Sequence, residues 1–321
     1  MRRLVILIIL LLSIVILLHS IQGDQAERIR WGYVAHYSLT TGAMVDDILE
    51  RSSGYTHIGI TGFPADSNGN IYTPIPFSVL TNVISRLKDM DKTLIPVIGL
   101  KSLKDGKKIL TSNKIQDNLL DSIKKILEDM NTQHVQFDFE YLPASMVDAY
   151  AGFLKKVNKS LPGIRVSAAV FPQVEFPATW AGFHDLSVIG DHLDYMVLMC
   201  YDLHRKGTVP GPVVTVEWAR KSIRKSLGHM KSKDILLGVP SYGYRWCGKG
   251  DKKKVTALSA RYVERLGRRY GFVRHPSGNI LVAYNSCKIF ASDNTMISSL
   301  QKLVDEFNLA GTALWRIGFE E

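Results

Sequence analysis

The sequence predicts an α/β fold, a (β/α)8 TIM barrel with a small insertion between strand 7 and the last helix. Short apolar runs rich in β-branched or aromatic residues alternate with helical patterns along most of the chain. A doubly wound open sheet is the rival, but the glycine-rich phosphate loop that it needs does not follow the first run. The predicted strands are residues 31–37, 56–63, 93–100, 134–141, 165–171, 195–201, 235–240 and 311–317.

The clearest helical pattern lies between the third and fourth strands, at residues 114–130. Ile115, Leu119, Ile123 and Leu127 recur there on one stripe. The stretch 241–293 is too long for one loop and one helix, so we expect the insertion there, with short strands such as one over 280–284. The other predicted helices are residues 77–90, 145–160, 216–227, 258–270 and 295–307.

The composition is that of a globular protein, with 46% hydrophobic and 22% charged residues in 321. It excludes a disordered tail, a collagen-like repeat and a multi-span membrane protein. Three cysteines are too few for a disulfide scaffold, and there is no Cys-x-x-Cys pair for structural zinc. Cys200 lies in an apolar run and is expected to be a buried thiol. A disulfide between Cys247 and Cys287 is plausible if the chain is exported.

The N-terminus has the features of an export segment. A basic start, Met1-Arg2-Arg3, precedes an uncharged apolar run over residues 4–18. Ile21 and Gly23 make a poor cleavage site, so residues 1–23 are expected to be either a signal peptide or an N-terminal membrane anchor. Residues 24–321 then form the barrel, which is secreted, periplasmic or membrane-anchored outside the cytoplasm.

The chain is basic, with 40 Lys and Arg against 30 Asp and Glu and a formal charge of +10. A basic surface favours an anionic wall or membrane surface as a partner, although a solvated basic face is the plainer interpretation. Export disfavours nucleic acid, and a monomer is expected. The basic clusters are Lys249, Lys252, Lys253 and Lys254, and Arg265, Arg268 and Arg269.

The fourth strand carries an unusual row of polar residues. Because successive residues of a strand face opposite sides, His134, Gln136, Asp138 and Glu140 should all point into the barrel. Barrel interiors are normally apolar, so these groups are costly unless they are used or paired. Two coupled carboxyl groups in a desolvated site favour one that keeps its proton, as a general acid requires. An ordinary buried polar network is the alternative.

This strand resembles the Asp-x-x-Asp-x-Asp-x-Glu motif of glycoside hydrolase family 18, the chitinase-like barrels. Glu140 stands at the final Glu, Asp138 at the last Asp, and Gln136 and Gln133 replace the other two acids. An amide at the middle position is frequent in the bacterial spore-cortex and cell-wall-lytic branch. Such an amide can hydrogen-bond Asp138 without adding negative charge.

The resemblance extends over most of residues 30–318. Tyr201 and Asp202 are similar to the family's Met-x-Tyr-Asp strand, residues 235–246 to its seventh strand, and residues 313–318 to its eighth, which carries Trp315. One departure is the stretch 97–100, which lacks the family's Ser-x-Gly-Gly on the third strand.

The resemblance implies an exported glycoside hydrolase that cleaves β-1,4-linked N-acetylglucosamine-containing glycans, of peptidoglycan or chitin type, by a retaining, substrate-assisted mechanism. Glu140 would be the acid and base, Asp138 would orient the acetamido group, and Tyr201 would bind its oxygen. No cofactor or metal is implied. The implied substrate-binding residues are Gln136, Met199, Asp202, Tyr242, Trp246 and Trp315.

Two alternatives stay open at this point. Tyr242 and Trp246 could equally well serve in loop packing rather than as substrate platforms. The whole chain could also be a non-catalytic chitinase-like carbohydrate-binding protein, although such relatives usually lack the glutamate that is present here as Glu140.

Overall fold

The structure is a computed structural model that describes residues 28–248 and 254–321. The predicted signal or anchor at residues 1–23 lies outside the described residues, as do Lys249, Lys252 and Lys253 of the first basic cluster. Within the described ranges, no helix is long and apolar enough to cross a membrane.

Eight parallel strands close into a barrel, and the predicted (β/α)8 architecture is confirmed. The order around the barrel places each strand beside its sequence neighbour, with the first and last strands completing the ring. The strands are β1 (Ile29–Val34), β2 (His57–Ala65), β3 (Thr93–Leu100), β4 (His134–Asp138), β5 (Arg165–Val170), β6 (Tyr195–Leu198), β7 (Ile235–Pro240), β8 (Tyr242–Cys247), β9 (Lys254–Ser259), β10 (Val273–Arg274), β11 (Ile280–Tyr284), β12 (Cys287–Ala291) and β13 (Gly311–Trp315). The barrel consists of β1 to β7 and β13.

Helices follow the barrel strands, and side-chain oxygens cap several of their first turns. Thr41, Ser112 and Thr215 each accept a hydrogen bond from the backbone three residues later, which fixes where those helices begin. The helices are α1 (Gly42–Ser52), α2 (Phe77–Asp89), α3 (Leu103–Thr111), α4 (Asn113–Met130), α5 (Val147–Ser160), α6 (Ala178–Ala181), α7 (Leu186–Ile189), α8 (Val216–Ser226), α9 (Ala260–Tyr270) and α10 (Asn294–Glu306).

The two faces of β4 enter different layers, as the alternation predicts. Val135, Phe137 and Phe139 are fully buried in the core between barrel and helices. His134 lies inside the barrel, where its Nε2 is 3.0 Å from the Ser167 hydroxyl oxygen and its ring meets Trp31 edge-on at 5.3 Å. The polar row therefore points towards the barrel axis.

The insertion is a five-stranded antiparallel sheet in the order β10-β11-β12-β8-β9, with α9 packed on it. The strand expected over 280–284 is β11. Cys247 of β8 lies opposite Cys287 of β12, and the two form a disulfide. Cys200 is a free, fully buried thiol, as the apolar run around it predicts.

Reduction of the Cys247–Cys287 disulfide is expected to lower the melting temperature. The bond spans 40 residues of sequence, and restricting an unfolded loop of that length contributes about 4 kcal/mol. Calorimetry with and without reductant measures this effect, and a thiol reagent should find no reactive group in the native, oxidised protein. An unchanged melting temperature after verified reduction would contradict the expectation.

Candidate active site

A cavity of about 320 Å³ opens at the carboxyl ends of the barrel strands, where barrel enzymes place their chemistry. We call it the mouth cavity. Asp138 is the last residue of β4 and Trp315 the last of β13, so the barrel itself fixes both backbones. All the predicted site residues except Trp246 line it: Gln136, Asp138, Glu140, Met199, Tyr201, Asp202, Tyr242 and Trp315.

Trp246 lies outside the mouth cavity. Trp246 is on the same face of β8 as Tyr242. It comes four residues later, however, which along an extended strand places it about 14 Å from Tyr242. Its side chain is 2% exposed and packs against Tyr244 and Phe290 in the insertion sheet, at ring distances of 5.8 and 6.3 Å. Trp246 is therefore not placed to stack on a ligand in this cavity. It serves in packing, as the alternative interpretation of the sequence had it, although within a strand rather than a loop.

Asp138 at the end of β4 and Glu140, two residues beyond it, have unusual proton affinities because they are removed from water. Burial raises the pKa of Asp138 to about 6. Burial also raises the pKa of Glu140 well above its usual range, and the nearby charges of Asp138 and Asp202 raise it further. Two like charges in a low-dielectric site disfavour double ionisation, so Glu140 is the group that holds its proton.

Gln136 has a different partner from the one that the sequence suggested. Its side-chain oxygen accepts a 2.7 Å hydrogen bond from the Tyr33 hydroxyl, across the barrel from β1. Its amide nitrogen is buried and has no hydrogen-bond partner among the described residues, Asp138 included. The amide therefore adds no charge beside Asp138, but it is tied to Tyr33 rather than to the carboxylate.

A Gln136→Asp substitution is expected to extend activity towards acid pH by about one unit. A protonated carboxyl at this fully buried position can donate to Asp138, which stabilises the Asp138 carboxylate and lowers its pKa. If activity needs the ionised form of Asp138, the acid limb of the kcat/KM profile then moves to lower pH. An unchanged pH–rate curve would count against this interpretation.

Asp202 organises a group of tyrosines on the opposite wall. Its carboxylate accepts hydrogen bonds from Tyr242, at 2.5 Å, and from Tyr244, at 3.0 Å. Its backbone has φ of 63°, a conformation that is uncommon outside glycine. Burial raises the pKa of Asp202, whereas the two phenol hydrogen bonds act in the opposite direction. The aspartate therefore holds Tyr242 in place beside the Tyr201 ring, 6.2 Å away.

Sequence reasoning missed several aromatic residues of the mouth cavity. Tyr244 could have been found from its position two residues after Tyr242, on the same face of one strand. Tyr33 packs 5.5 Å from Trp315, and Tyr141 extends from the rim with 42% of its surface exposed. These rings give the cavity apolar faces around its carboxyl groups. The missed aromatic lining residues are Tyr33, Tyr37, Tyr141, Phe171, Tyr244 and Phe319.

Comparison with known proteins now identifies the family. The model for glycosyl hydrolases family 18 matches residues 29–320, nearly the whole described chain. The chain belongs to this family.

Relatives of this family 18 chain include a cortical fragment-lytic enzyme and a spore cortex-lytic enzyme. The cortical fragment-lytic enzyme of Bacillus subtilis is 25% identical over 288 residues, which cover 84% of this chain and 66% of the relative. The structure of the spore cortex-lytic enzyme SleL of Bacillus megaterium superposes with a TM-score of 0.80 at 24% identity, covering 92% of this chain and 72% of that one.

The structure of a chitinase from Chromobacterium violaceum superposes almost as well. Its TM-score is 0.79 at 18% identity, and the match covers 92% of this chain and 95% of the chitinase. At such identities the structural matches show the shared fold. The family 18 chain also spans only 33% to 66% of the length of three curated relatives that it matches.

Proposed function

We propose that this chain is an exported, retaining glycosidase that cleaves β-1,4-linked N-acetylglucosamine-containing glycans. The observation that carries the proposal is the convergence of Asp138, Glu140 and Tyr201 on one open cavity. Burial and the nearby acidic charges raise the pKa of Glu140 and keep it neutral, and a neutral carboxyl that can donate its proton beside an ionisable Asp138 is what glycosidic bond cleavage needs.

In the first step, Glu140 donates its proton to the glycosidic oxygen as the bond from that oxygen to the anomeric carbon breaks. The carbonyl oxygen of the substrate's own 2-acetamido group attacks the anomeric carbon and forms a cyclic oxazolinium. In the second step, water attacks the same carbon while the Glu140 carboxylate takes a proton from it. The bond from that carbon to the acetamido oxygen breaks, which opens the oxazolinium and restores the 2-acetamido group. Two displacements at one carbon retain its configuration.

Asp138 and Tyr201 would direct the acetamido group. The Asp138 carboxylate accepts a hydrogen bond from the acetamido N–H and stabilises the positive charge that develops on the ring. The Tyr201 hydroxyl donates to the acetamido oxygen, and Trp315 provides an apolar floor for the sugar. The chemistry uses the substrate's amide as nucleophile and requires no cofactor.

Peptidoglycan is favoured over chitin as the substrate. The names of two relatives, a cortical fragment-lytic and a spore cortex-lytic enzyme, refer to the spore cortex, which consists of peptidoglycan. The formal charge of +10 also suits an anionic wall polymer, since opposite charge raises the local concentration of the protein at such a surface.

Export is supported by two independent features. The basic start and apolar run of residues 1–18 have the composition of an export segment. The disulfide between Cys247 and Cys287 would persist in an oxidising compartment but would be reduced in most cytosols. The proposed location is outside the cytoplasm, in secreted or membrane-anchored form.

Digestion of purified peptidoglycan and chitin side by side, with mass spectrometry of the fragments, tests this proposal. The expected products carry reducing N-acetylglucosamine ends, and Glu140→Gln should give none. Anhydro-muramic ends or cleaved peptides would overturn the reaction class. A wild-type protein that binds both glycans and cleaves neither would instead be a carbohydrate-binding protein.

A further inference from the structure

A second pocket adjoins the mouth cavity and has no part in the chemistry described above. It has a volume of about 390 Å³ and lies between the loop after β1, the start of α9 and the segment after β13. Phe319 lines both spaces, so the two adjoin at this residue. We call this space the side pocket.

Arg316 lines the side pocket and is an unusual buried cation. Its side chain is only 6% exposed, and its guanidinium lies over the rings of Phe319 and Tyr37, at 3.7 and 4.7 Å. It donates to the Ser38 hydroxyl, while its Nε has no hydrogen-bond partner among the described residues. Among the described residues no carboxylate forms an ion pair with Arg316, although a buried charge normally has an ion-pair partner.

Two further features make the side pocket positive. Arg261, 40% exposed, is a second arginine in its lining. The first residues of α1 and of α9 also line it, so the positive dipole ends of two 11-residue helices face it.

The acidic groups nearby are already matched by arginines. Asp47, which also lines the pocket, pairs with Arg51 at 3.1 Å and with Arg261 at 3.5 Å. Glu320 pairs with Arg51 at 3.6 Å. Among the described residues Arg316 therefore has no carboxylate at ion-pair distance, although Glu320, which it shares with Arg51, acts on it electrostatically. An incoming carboxylate would give Arg316 a direct anionic partner.

We infer that the side pocket binds a carboxylate carried by the sugar residue next to the one held in the mouth cavity. The inference rests on the proposed function. In peptidoglycan, an N-acetylglucosamine in the mouth cavity has muramic acid neighbours, each with a lactyl carboxyl group that is either free or extended by a peptide ending in carboxylates. Chitin has no charged group at these positions, so the pocket would distinguish the two polymers.

Arg261→Gln tests the side pocket because Arg261 is partly exposed and its loss should leave the fold intact. Arg268→Gln, at the far end of the same helix, removes the same charge outside the pocket and is the matched control. Three substrates are compared: an uncharged N-acetylglucosamine tetramer, peptide-free glycan strands and intact peptidoglycan. Without Arg261 the side pocket loses one positive charge and Asp47 loses one of its two arginine partners, so the pocket should repel an incoming carboxylate. We expect kcat/KM to fall about tenfold on the carboxylate-bearing substrates and to stay unchanged on the tetramer.

A loss on both peptide-free strands and intact peptidoglycan assigns the lactyl carboxylate, and a loss on intact peptidoglycan alone assigns the peptide. Equal effects on all three substrates, or effects shared by Arg268→Gln, overturn the inference. A second measurement does not depend on hydrolysis. The affinity of the Glu140→Gln variant for the same three substrates is compared with that of the double variant Glu140→Gln, Arg316→Gln. If the wild type cleaves none of the substrates, the proposed function fails, while this affinity difference still decides the side pocket.

Discussion

Glu140→Gln is expected to lower kcat on N-acetylglucosamine oligomers by about three orders of magnitude, with little change in oligomer affinity. The amide keeps the size of the side chain but cannot protonate the leaving oxygen, and a positioned general acid contributes 10²- to 10⁴-fold. Single-turnover kinetics and direct binding separate the two effects. Glu128→Gln, an exposed glutamate of α4, is the matched control and should change neither.

The same substitution should stabilise the fold, and increasingly so as the pH rises. Burial raises the pKa of Glu140 in the folded state, so the folded protein retains a proton that the unfolded chain releases above its ordinary carboxyl pKa. The wild type therefore loses stability as the pH rises from that value through the folded-state pKa. Gln removes this dependence, and the difference in melting temperature between variant and wild type should be larger at pH 8 than at pH 5.

These two measurements together identify the role of Glu140. An inactive variant with a lower melting temperature at every pH would indicate damaged packing rather than a lost proton donor. A variant that retains near wild-type kcat would place the donor elsewhere and remove the basis of the proposed mechanism.

The barrel and the acid pair were accessible to sequence reasoning because their signals are local. The alternation along β4 places Asp138 and Glu140 on the inner face without knowledge of any other strand. The helix α1 was missed although it is as long as α8 and α9, because only Val45, Ile48 and Leu49 give it a buried apolar stripe. The periodic spacing of apolar residues is a weak signal of helix when it extends over only a few helical turns.

The contacts that could not be predicted join residues far apart in sequence. The Tyr33 hydroxyl reaches Gln136 across 103 residues, and Arg316 reaches Ser38 across 278. Neither pair has a spacing that a single sequence displays, because barrel closure alone brings β13 beside β1. The burial of Trp246 likewise depends on how far β8 runs beyond the mouth of the barrel, which its aromatic composition does not specify.

Asp138→Asn is expected to lower kcat about a hundredfold and to shift the basic limb of the pH–rate profile to lower pH. The fall in kcat follows from the loss of the charge that orients the acetamido group and stabilises the oxazolinium, an electrostatic contribution of 10² to 10³ in other enzymes. The shift follows from the coupling, because the Asp138 carboxylate is one of the charges that raise the pKa of Glu140.

The direction of that shift distinguishes electrostatic coupling from a purely structural role. Glu140 must be protonated to act, so activity falls as the pH rises through its pKa. A neutral residue at 138 lowers that pKa, and the fall then begins at lower pH, while the acid limb set by Asp138 near pH 6 disappears. Asp148→Asn, an exposed aspartate of α5, is the matched control. A basic limb that stays in place would mean that burial and the charge of Asp202 hold the proton on Glu140 without Asp138, and that Asp138 and Glu140 titrate independently.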